Sequence, residues 1–179
     1  MPEGGGGEAT LAAGGAIGGG SAGYALAKRA IDLLGAAAAL LLASPVLALC
    51  AVLIRREGPG PVIHRRRVVG RGGREFDAFK LRTMVVDADR ILAANPEWLA
   101  QYQRNVKLRQ DPRVTRVGRV LRRYSLDELP QFANVLRGEM SLVGPRMLHP
   151  SELERFGDAA AEVVAVRPGI TGLWQVSGR

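Results

Sequence analysis

The sequence predicts an α+β fold, mostly helical, in which a cytoplasmic domain follows an N-terminal membrane segment. Three observations predict it: one long uncharged apolar run, a glycine-centred pair of short strands after that run, and several helical stretches further along the chain. With 179 residues the chain has room for one domain of ordinary size and an appendage. We therefore divide it into residues 1–23, 24–56 and 57–179.

The first region, residues 1–23, is rich in glycine. It holds ten glycines and only two charged residues, Glu3 and Glu8. Such a stretch cannot bury enough apolar surface to offset the entropy lost on ordering, so we predict a disordered tail. No basic segment precedes its apolar residues and no cleavage site follows them, which argues against a secretory signal.

The second region contains an apolar run at residues 33–54, which is 22 residues without a charge and long enough for a transmembrane helix. Ser44 and Pro45 lie at its centre, where a proline removes one backbone hydrogen bond. Basic residues flank both ends, whereas a spanning helix favours positive charge on one side. Two alternatives stay open: a kinked spanning helix, or a re-entrant helix broken at Pro45 with the Ser44 hydroxyl bonded to a carbonyl of the preceding turn.

The charge of the chain restricts its partners. The net charge is +8, from 25 Lys+Arg against 17 Asp+Glu, which favours an anionic partner such as a phosphorylated substrate, anionic lipid or nucleic acid. Aromatic residues make up only 5% of the chain, too few for the stacking surfaces of single-strand nucleic-acid binders. We therefore expect membrane lipid and no nucleic acid as partners. The single cysteine, Cys50, lies in the apolar run and is expected to be buried.

The third region alternates strand and helix patterns. Turn residues at 58–61 and 70–73 enclose short strand pieces at 62–63 and 68–69, and a returning strand is predicted at 75–81. A short apolar stretch at 171–176 comes last. Apolar residues at three- and four-residue spacing predict helices at 87–110 (interrupted at Asn95-Pro96), around 117–121, at 126–136 and at 151–166.

The segment from Ser125 to Glu128 has two interpretations. Ser125 followed three residues later by Glu128 is a capping box, which is a structural role. Alternatively, Asp127 and Glu128 are adjacent carboxylates within an arginine-rich stretch. One carboxylate can attack phosphorus while the other helps to hold Mg²⁺, and arginines bind phosphate oxygens.

Other polar residues give weaker signals. Lys80 and Arg82 alternate onto one face of the strand predicted at 75–81, where a solvated face is an equally good explanation. His64 and His149 lie far apart and show no metal-ligand spacing. The glycines at 70–73 lack the phosphate-loop pattern and are typical of a hairpin turn.

Seven ordered blocks of residues resemble the monotopic phosphoglycosyl transferases, a family of bacterial sugar transferases. The resemblance covers residues 27–179, and residues 95–113 are most similar to the exopolysaccharide-initiating hexose-phosphate transferases. The blocks are residues 28–32 with Ser44-Pro45, 58–62, 80–84, 111–115, 125–131, 140–146 and 167–179.

The resemblance implies an enzyme at the cytoplasmic face of the bacterial inner membrane. It would transfer a sugar-1-phosphate from a UDP-sugar to undecaprenyl (polyprenyl) phosphate and so initiate exopolysaccharide assembly. Asp127 would attack the β-phosphate, expel UMP and form a covalent phosphosugar, while Glu128 would help to bind Mg²⁺. The resemblance also favours the re-entrant helix broken at Ser44 and Pro45.

The resemblance further implies a set of substrate-binding residues, namely Lys80, Arg82, Arg122, Arg146, Arg167, Gln175 and Arg179. Met147 stands where the family usually has proline. The family also continues beyond the Ser-Gly-Arg block, so we expect its C-terminal part to be missing here. An alternative therefore stays open, in which the chain is a truncated, inactive paralogue that acts as a membrane-anchored binding protein. The sequence does not identify the sugar or the oligomeric state, and a homo-oligomer is compatible with it.

Overall fold

A computed structural model of the chain describes residues 22–105, 108 and 111–173. The predicted α+β, mostly helical fold is confirmed. Three 3₁₀ turns, at Arg71–Gly73, Leu126–Glu128 and Glu154–Ala159, connect the regular elements. In chain order these are α1 (Ala22–Arg56), β1 (Ile63–Val69), β2 (Glu75–Leu81), α2 (Ala88–Ala93), α3 (Pro96–Asn105), α4 (Arg116–Arg123), α5 (Gln131–Arg137), β3 (Ser141–Val143), α6 (Pro150–Leu153), α7 (Ala160–Val163) and β4 (Gly169–Thr171).

Helix α1 runs through Pro45 as one element of 35 residues. Pro45 has no N–H to bond the Leu41 carbonyl four residues earlier. The Ser44 hydroxyl donates to that carbonyl instead, at 2.7 Å, as the sequence predicted. The side chain thus replaces the missing backbone bond, and the break predicted at Ser44 and Pro45 stays a prediction. The course of α1 through a membrane stays a prediction.

The N-terminal part of α1 is attached to the domain by a buried carboxylate. Asp32 is only 2% exposed. It accepts from the Lys28 ammonium at 2.5 Å, the Ser141 hydroxyl at 3.1 Å and the Leu142 backbone N–H at 3.0 Å. Arg29, in the same turn, donates to main-chain carbonyls at the end of α5. These bonds join α1 to residues more than 100 positions away.

The C-terminal end of α1 is attached by different residues of the same domain. The Arg82 guanidinium donates to the carbonyls of Ile54 at 3.0 Å, Gly58 at 2.8 Å and Pro59 at 2.6 Å. Ile54 itself is buried in an apolar cluster with Leu81 and Leu121. Both ends of α1 are consequently fixed to one folded unit.

The exposed surface of α1 is apolar over most of its length, and Arg55 and Arg56 are exposed at its C-terminal end. It is also the only helix in the described part of the chain that is long and apolar enough to cross a membrane. Large exposed apolar residues of α1 include Leu26, Ile31, Leu34, Leu41, Leu42, Leu49 and Val52. Such a surface is unfavourable in water and is typical of a contact with a membrane or with another protein.

Strands β1 and β2 form an antiparallel hairpin, in register from Ile63 opposite Leu81 to Val69 opposite Glu75. The two strand pieces predicted at 62–63 and 68–69 are thus parts of one strand. The shorter strands β3 and β4 pair in parallel. Val68 and Phe76 of the hairpin pack with α1, α5 and the start of β3 in the first core cluster. The free Cys50 is buried, as predicted, in the second core cluster, which also contains Ile54.

Two predicted helices differ from the structure. The interruption at Asn95-Pro96 is confirmed, since α2 ends before it and α3 begins at Pro96. The helix predicted at 151–166 is instead three short pieces, because Gly157 has a φ of +49° that no right-handed helix contains. The helix predicted at 126–136 is divided as well: a 3₁₀ turn comes first, and α5 begins only after Pro130. Residues 174–176 of the last predicted stretch lie outside the described residues.

Candidate active site

The two adjacent carboxylates lie in the 3₁₀ turn Leu126–Glu128, between α4 and α5. Ser125, just before the turn, has a left-handed backbone with a φ of +55°. Its side chain caps no backbone N–H, so the capping-box interpretation is wrong. Such a conformation costs a non-glycine residue about 1–3 kcal/mol and is concentrated at functional sites. The carboxylates are therefore presented by a strained segment and not by an ordinary helix start.

Glu128 forms an ion pair with Lys80 of strand β2. The Lys80 ammonium lies 2.6 Å from a Glu128 carboxylate oxygen. The side chains are 19% and 31% exposed, so solvent reaches the pair only in part. The second carboxylate thus meets a cation that a distant part of the sequence supplies.

Asp127 is more deeply buried, with 8% of its surface exposed. Burial raises the pKa of Asp127 above its ordinary value, and the negative charge of Glu128 adds to this effect. The positive charges of Lys80 and Arg122 act in the opposite direction and lower the pKa. A buried carboxylate with a perturbed pKa among cations is a candidate for a functional group.

Arg122, in the last turn of α4, is oriented by Thr83. Its Nε donates to the Thr83 hydroxyl at 2.9 Å. Helix α4 can approach this segment because Gly118 has no side chain: a Cβ there would overlap the Thr83 carbonyl. Thr83 was not among the predicted site residues, although it lies in the matched block 80–84.

Arg82 and Arg167 lie elsewhere. Arg82 donates to the carbonyls at the end of α1, so the structure does not bring it to the carboxylates with Lys80. The Nε of Arg167 donates to the Gly138 carbonyl, after the end of α5, at 2.7 Å. Arg146 lines a small cavity with Val69. The remaining predicted residues, Gln175 and Arg179, lie outside the described residues.

Gln131 is a candidate that the sequence interpretation left without a role. It is the first residue of α5, four positions after Asp127, and it is fully buried. Neither its amide nitrogen nor its amide oxygen has a hydrogen-bond partner among the described residues. An unsatisfied buried amide costs about 1–3 kcal/mol, so Gln131 stands out as a group that a ligand could satisfy. Its place in the block 125–131 was the available signal.

A groove of about 820 Å³ runs between the second half of α1 and one face of the β1–β2 hairpin. Eleven of its thirteen lining residues are apolar, and the other two are Arg55 and Arg65. Phe79 and Pro130 are in its wall, and Pro130 follows Glu128 by two positions. The groove therefore combines apolar walls with two cations, and one of its lining residues, Pro130, is close in the chain to the carboxylates.

The carboxylate pair fits a magnesium ion that is shared with a substrate. No group of three or more His, Cys, Asp or Glu side chains suited to a metal occurs in the part of the chain that the structure describes. Mg²⁺ is commonly held by one or two carboxylates together with substrate phosphates. Asp127 and Glu128 match that donor set, while a site built from protein ligands alone would need more of them.

Comparison with known proteins decides the family. The family model described as "Bacterial sugar transferase" matches residues 23–179, nearly the whole chain. The chain belongs to this family. The predicted class of enzyme, a phosphoglycosyl transferase, is supported by the names of its relatives.

Three relatives illustrate the match to this sugar transferase. The exopolysaccharide production protein ExoY of Rhizobium meliloti is 46% identical, over 86% of this chain and 70% of its own length. The UDP-glucose:undecaprenyl-phosphate glucose-1-phosphate transferase of Caulobacter vibrioides is 46% identical over 86% of this chain and 54% of its own. The undecaprenyl-phosphate galactose phosphotransferase of Salmonella typhimurium is 44% identical over 85% of this chain and 33% of its own. The chain thus spans most of the first relative but a third to a half of the others.

Proposed function

We propose that this sugar transferase moves a sugar-1-phosphate from a UDP-sugar to undecaprenyl phosphate and thereby initiates exopolysaccharide assembly. The observation that carries the proposal is the buried Asp127, which has a raised pKa and lies beside the Lys80–Glu128 ion pair and the charge of Arg122. The names of the Salmonella and Caulobacter relatives describe sugar-phosphate transfer to undecaprenyl phosphate. An inactive binding paralogue, the alternative above, has no observation in its favour.

The reaction proceeds in two displacements at the same phosphorus atom. A carboxylate oxygen of Asp127 attacks the β-phosphorus, the bond from that phosphorus to the bridging oxygen breaks, and UMP leaves with the electron pair. A phosphate oxygen of the lipid then attacks the aspartyl-bound phosphorus and releases the carboxylate. Lys80 and Arg122 neutralise the charge that develops on the phosphate oxygens.

Asp127 and Glu128 would hold Mg²⁺ together with the diphosphate, and the ion would neutralise its negative charge. We expect turnover to require a divalent cation and to stop in excess EDTA. Full activity in EDTA would contradict the role given to Glu128. Because Glu128 is already paired with Lys80, an ion bound there would compete with a cation of the protein.

The re-entrant course of α1 is supported by its attachments. A spanning helix would place its two ends on opposite sides of the membrane. Here Asp32 binds β3 near one end and Arg82 binds Ile54 near the other, so both ends contact one domain. We propose that α1 enters and leaves the inner membrane on the cytoplasmic face, with Ser44 and Pro45 deepest.

The groove beside α1 is where we propose that the isoprenoid chain of the acceptor lies. Its apolar walls suit a hydrocarbon chain, while Arg55 and Arg65 suit the phosphate. A nucleotide-sugar would find few hydrogen-bond partners there. The acceptor would thus approach Asp127 from the membrane side, and the nucleotide from the side of Lys80.

The decisive experiment separates the first displacement from the second. The protein is mixed with each of a panel of UDP-sugars and Mg²⁺, without acceptor, and its intact mass is measured. We expect a phosphosugar increment on the wild type and none on Asp127→Asn, because an amide is a very poor nucleophile. Glu128→Gln serves as the control that keeps the nucleophile and loses rate. Near wild-type turnover by Asp127→Asn would contradict the assignment.

The course of α1 has its own test. In a Cys50→Ser background, single cysteines are placed beside Lys28 and beside Arg65. We expect both to be shielded from an impermeant thiol reagent in intact cells and to react after lysis. Labelling of one position only in intact cells would establish a spanning helix.

A further inference from the structure

Lys80 occupies the carboxylate to which the divalent ion is assigned. Its ammonium lies 2.6 Å from Glu128, within the range of a charge-assisted hydrogen bond. The pair is partly shielded, with Lys80 19% and Glu128 31% exposed. One of the two adjacent carboxylates is therefore already neutralised by a cation from β2.

The charges at the site favour replacement of Lys80 by the divalent ion over the binding of both cations to Glu128. Asp127 and Glu128 together carry two negative charges when ionised, and Lys80 offsets one of them. A divalent ion at Glu128 would lie beside the ammonium, and two like charges in contact repel each other strongly when they are partly screened from water. The described residues gather no third acidic, histidine or cysteine ligand that could hold the ion away from Lys80.

Lysine suits such an exchange better than arginine would. Its ammonium is a compact point charge on a flexible stem, so it can leave one oxygen and bind another nearby. An arginine would hold the carboxylate with two parallel bonds and release it less readily. The stem of Lys80 starts from a paired strand position opposite His64, so its base stays fixed while its end moves.

We infer that Lys80 is a resident counter-cation that the divalent ion displaces. It neutralises Glu128 in the substrate-free protein, and the arriving ion takes its place. Its freed ammonium then binds the diphosphate oxygens of the nucleotide-sugar. This inference rests on the proposed role of Glu128 in holding the ion.

The test measures metal affinity directly, without turnover. The full chain in detergent micelles, free of nucleotide, is titrated with Mn²⁺, and free Mn²⁺ is followed by electron paramagnetic resonance. We expect Lys80→Met to bind Mn²⁺ about three- to tenfold more tightly than the wild type, because the Lys80–Glu128 ion pair that competes with Mn²⁺ is lost. Lys80→Arg should bind it more weakly than the wild type. Turnover should fall in Lys80→Met although its metal affinity rises.

Two controls make the result specific. Arg74→Met removes the same charge from the exposed hairpin turn, six residues before Lys80 and about 20 Å away along the strand. It should leave Mn²⁺ affinity unchanged. Glu128→Gln should weaken Mn²⁺ binding, and adding Lys80→Met to it should then have little further effect, because the two residues act on one contact.

The outcomes separate this inference from the proposed function. If the wild type binds Mn²⁺ through Glu128 but Lys80→Met does not bind it more tightly than Arg74→Met does, the counter-cation inference is overturned while the metal role stands. If the wild type binds no Mn²⁺ and turns over in EDTA, both are overturned. Should Lys80→Met not fold, Lys80→Arg carries the test, and Mn²⁺ affinity equal to or above that of the wild type contradicts the inference.

Discussion

Asp32 and Asp127 are both buried aspartates, and they differ in what surrounds them. Asp32 meets the Lys28 ammonium, the Ser141 hydroxyl and the Leu142 N–H within 3.1 Å. For Asp127, burial raises the pKa and outweighs the opposing effects of the Lys80 and Arg122 charges and of a backbone hydrogen bond. A buried carboxylate that accepts hydrogen bonds from neighbouring elements stabilises the folded state. A carboxylate whose ionised form is destabilised by burial is available to bind a ligand.

The largest expected effect tests the structural side of this comparison. Asp32→Asn leaves the Lys28 ammonium without its buried partner, which typically costs about 3–5 kcal/mol of unfolding free energy. We expect a large drop in the midpoint of denaturant unfolding in micelles. Glu75→Gln is the matched control, since Glu75 pairs with Arg67 where both side chains are about half exposed. Equal losses for Asp32→Asn and Glu75→Gln would show that Asp32 is not an anchor.

The catalytic side is tested through Arg122. Arg122→Gln removes a cation whose charge reaches Asp127, and loss of one such group typically costs about 100-fold or more in kcat. We expect the denaturation midpoint to change little, because Arg122 makes one side-chain bond to Thr83. The measurement is the rate of UMP release on UDP-sugar addition. An unchanged rate would remove Arg122 from the site.

The complementary variant at Arg82 should show the opposite pattern. Arg82→Gln gives up bonds to three main-chain carbonyls at the end of α1, and hydrogen bonds that involve a charged group contribute about 1.5–3 kcal/mol each. We expect lower stability, with the folded fraction retaining a UMP-release rate within a few-fold of the wild type. A large loss of rate at unchanged stability would return Arg82 to the substrate-binding set.

These two arginines show how far the sequence could predict the site. The resemblance named Asp127, Glu128, Lys80 and Arg122 as site residues, and the structure brings these four together. The sequence could not separate Arg82 from Lys80, because that difference depends on how α1 ends against the hairpin, and α1 is more than 20 residues away in the chain. The anchoring role of Asp32 could not be predicted for the same reason, because its partners Ser141 and Leu142 are over 100 positions away in the chain.

The fold was predictable to a similar extent. Apolar periodicity and turn residues located the long helix, the hairpin and the break before α3. The same patterns did not predict the positive φ of Ser125 and Gly157, two residues at which a helix ends or changes direction. Nothing in the local pattern marks Ser125 as left-handed, because serine is also a good helix cap.

A smaller effect is expected at the groove beside α1. Ala51→Phe fills a groove-lining position, and we expect the KM for undecaprenyl phosphate to rise about tenfold, which corresponds to about 1.4 kcal/mol. Formation of the phosphosugar adduct without acceptor should be unchanged. Ala38→Phe, at an exposed position of the same helix outside the groove, is the control. Equal KM values for both variants would show that the acceptor binds elsewhere.

The smallest effect returns to Asp127 and concerns stability. The folded pKa of Asp127 is raised above its ordinary value of 3.8, mainly by burial, so the ionised side chain destabilises the folded state. The favourable contribution of a raised pKa is complete below 3.8 and is lost as the pH rises through the folded pKa. Asp127→Asn has no such loss.

We therefore expect Asp127→Asn to be more stable than the wild type at pH 7.5, by about 1 kcal/mol or roughly 2–4 °C in Tm. That advantage should shrink as the pH is lowered toward 3.8. Glu128→Gln should show no gain, because Glu128 gives up its contact with Lys80. If Asp127→Asn were less stable than the wild type at pH 7.5, Asp127 would resemble Asp32 after all, as a carboxylate that the fold itself requires.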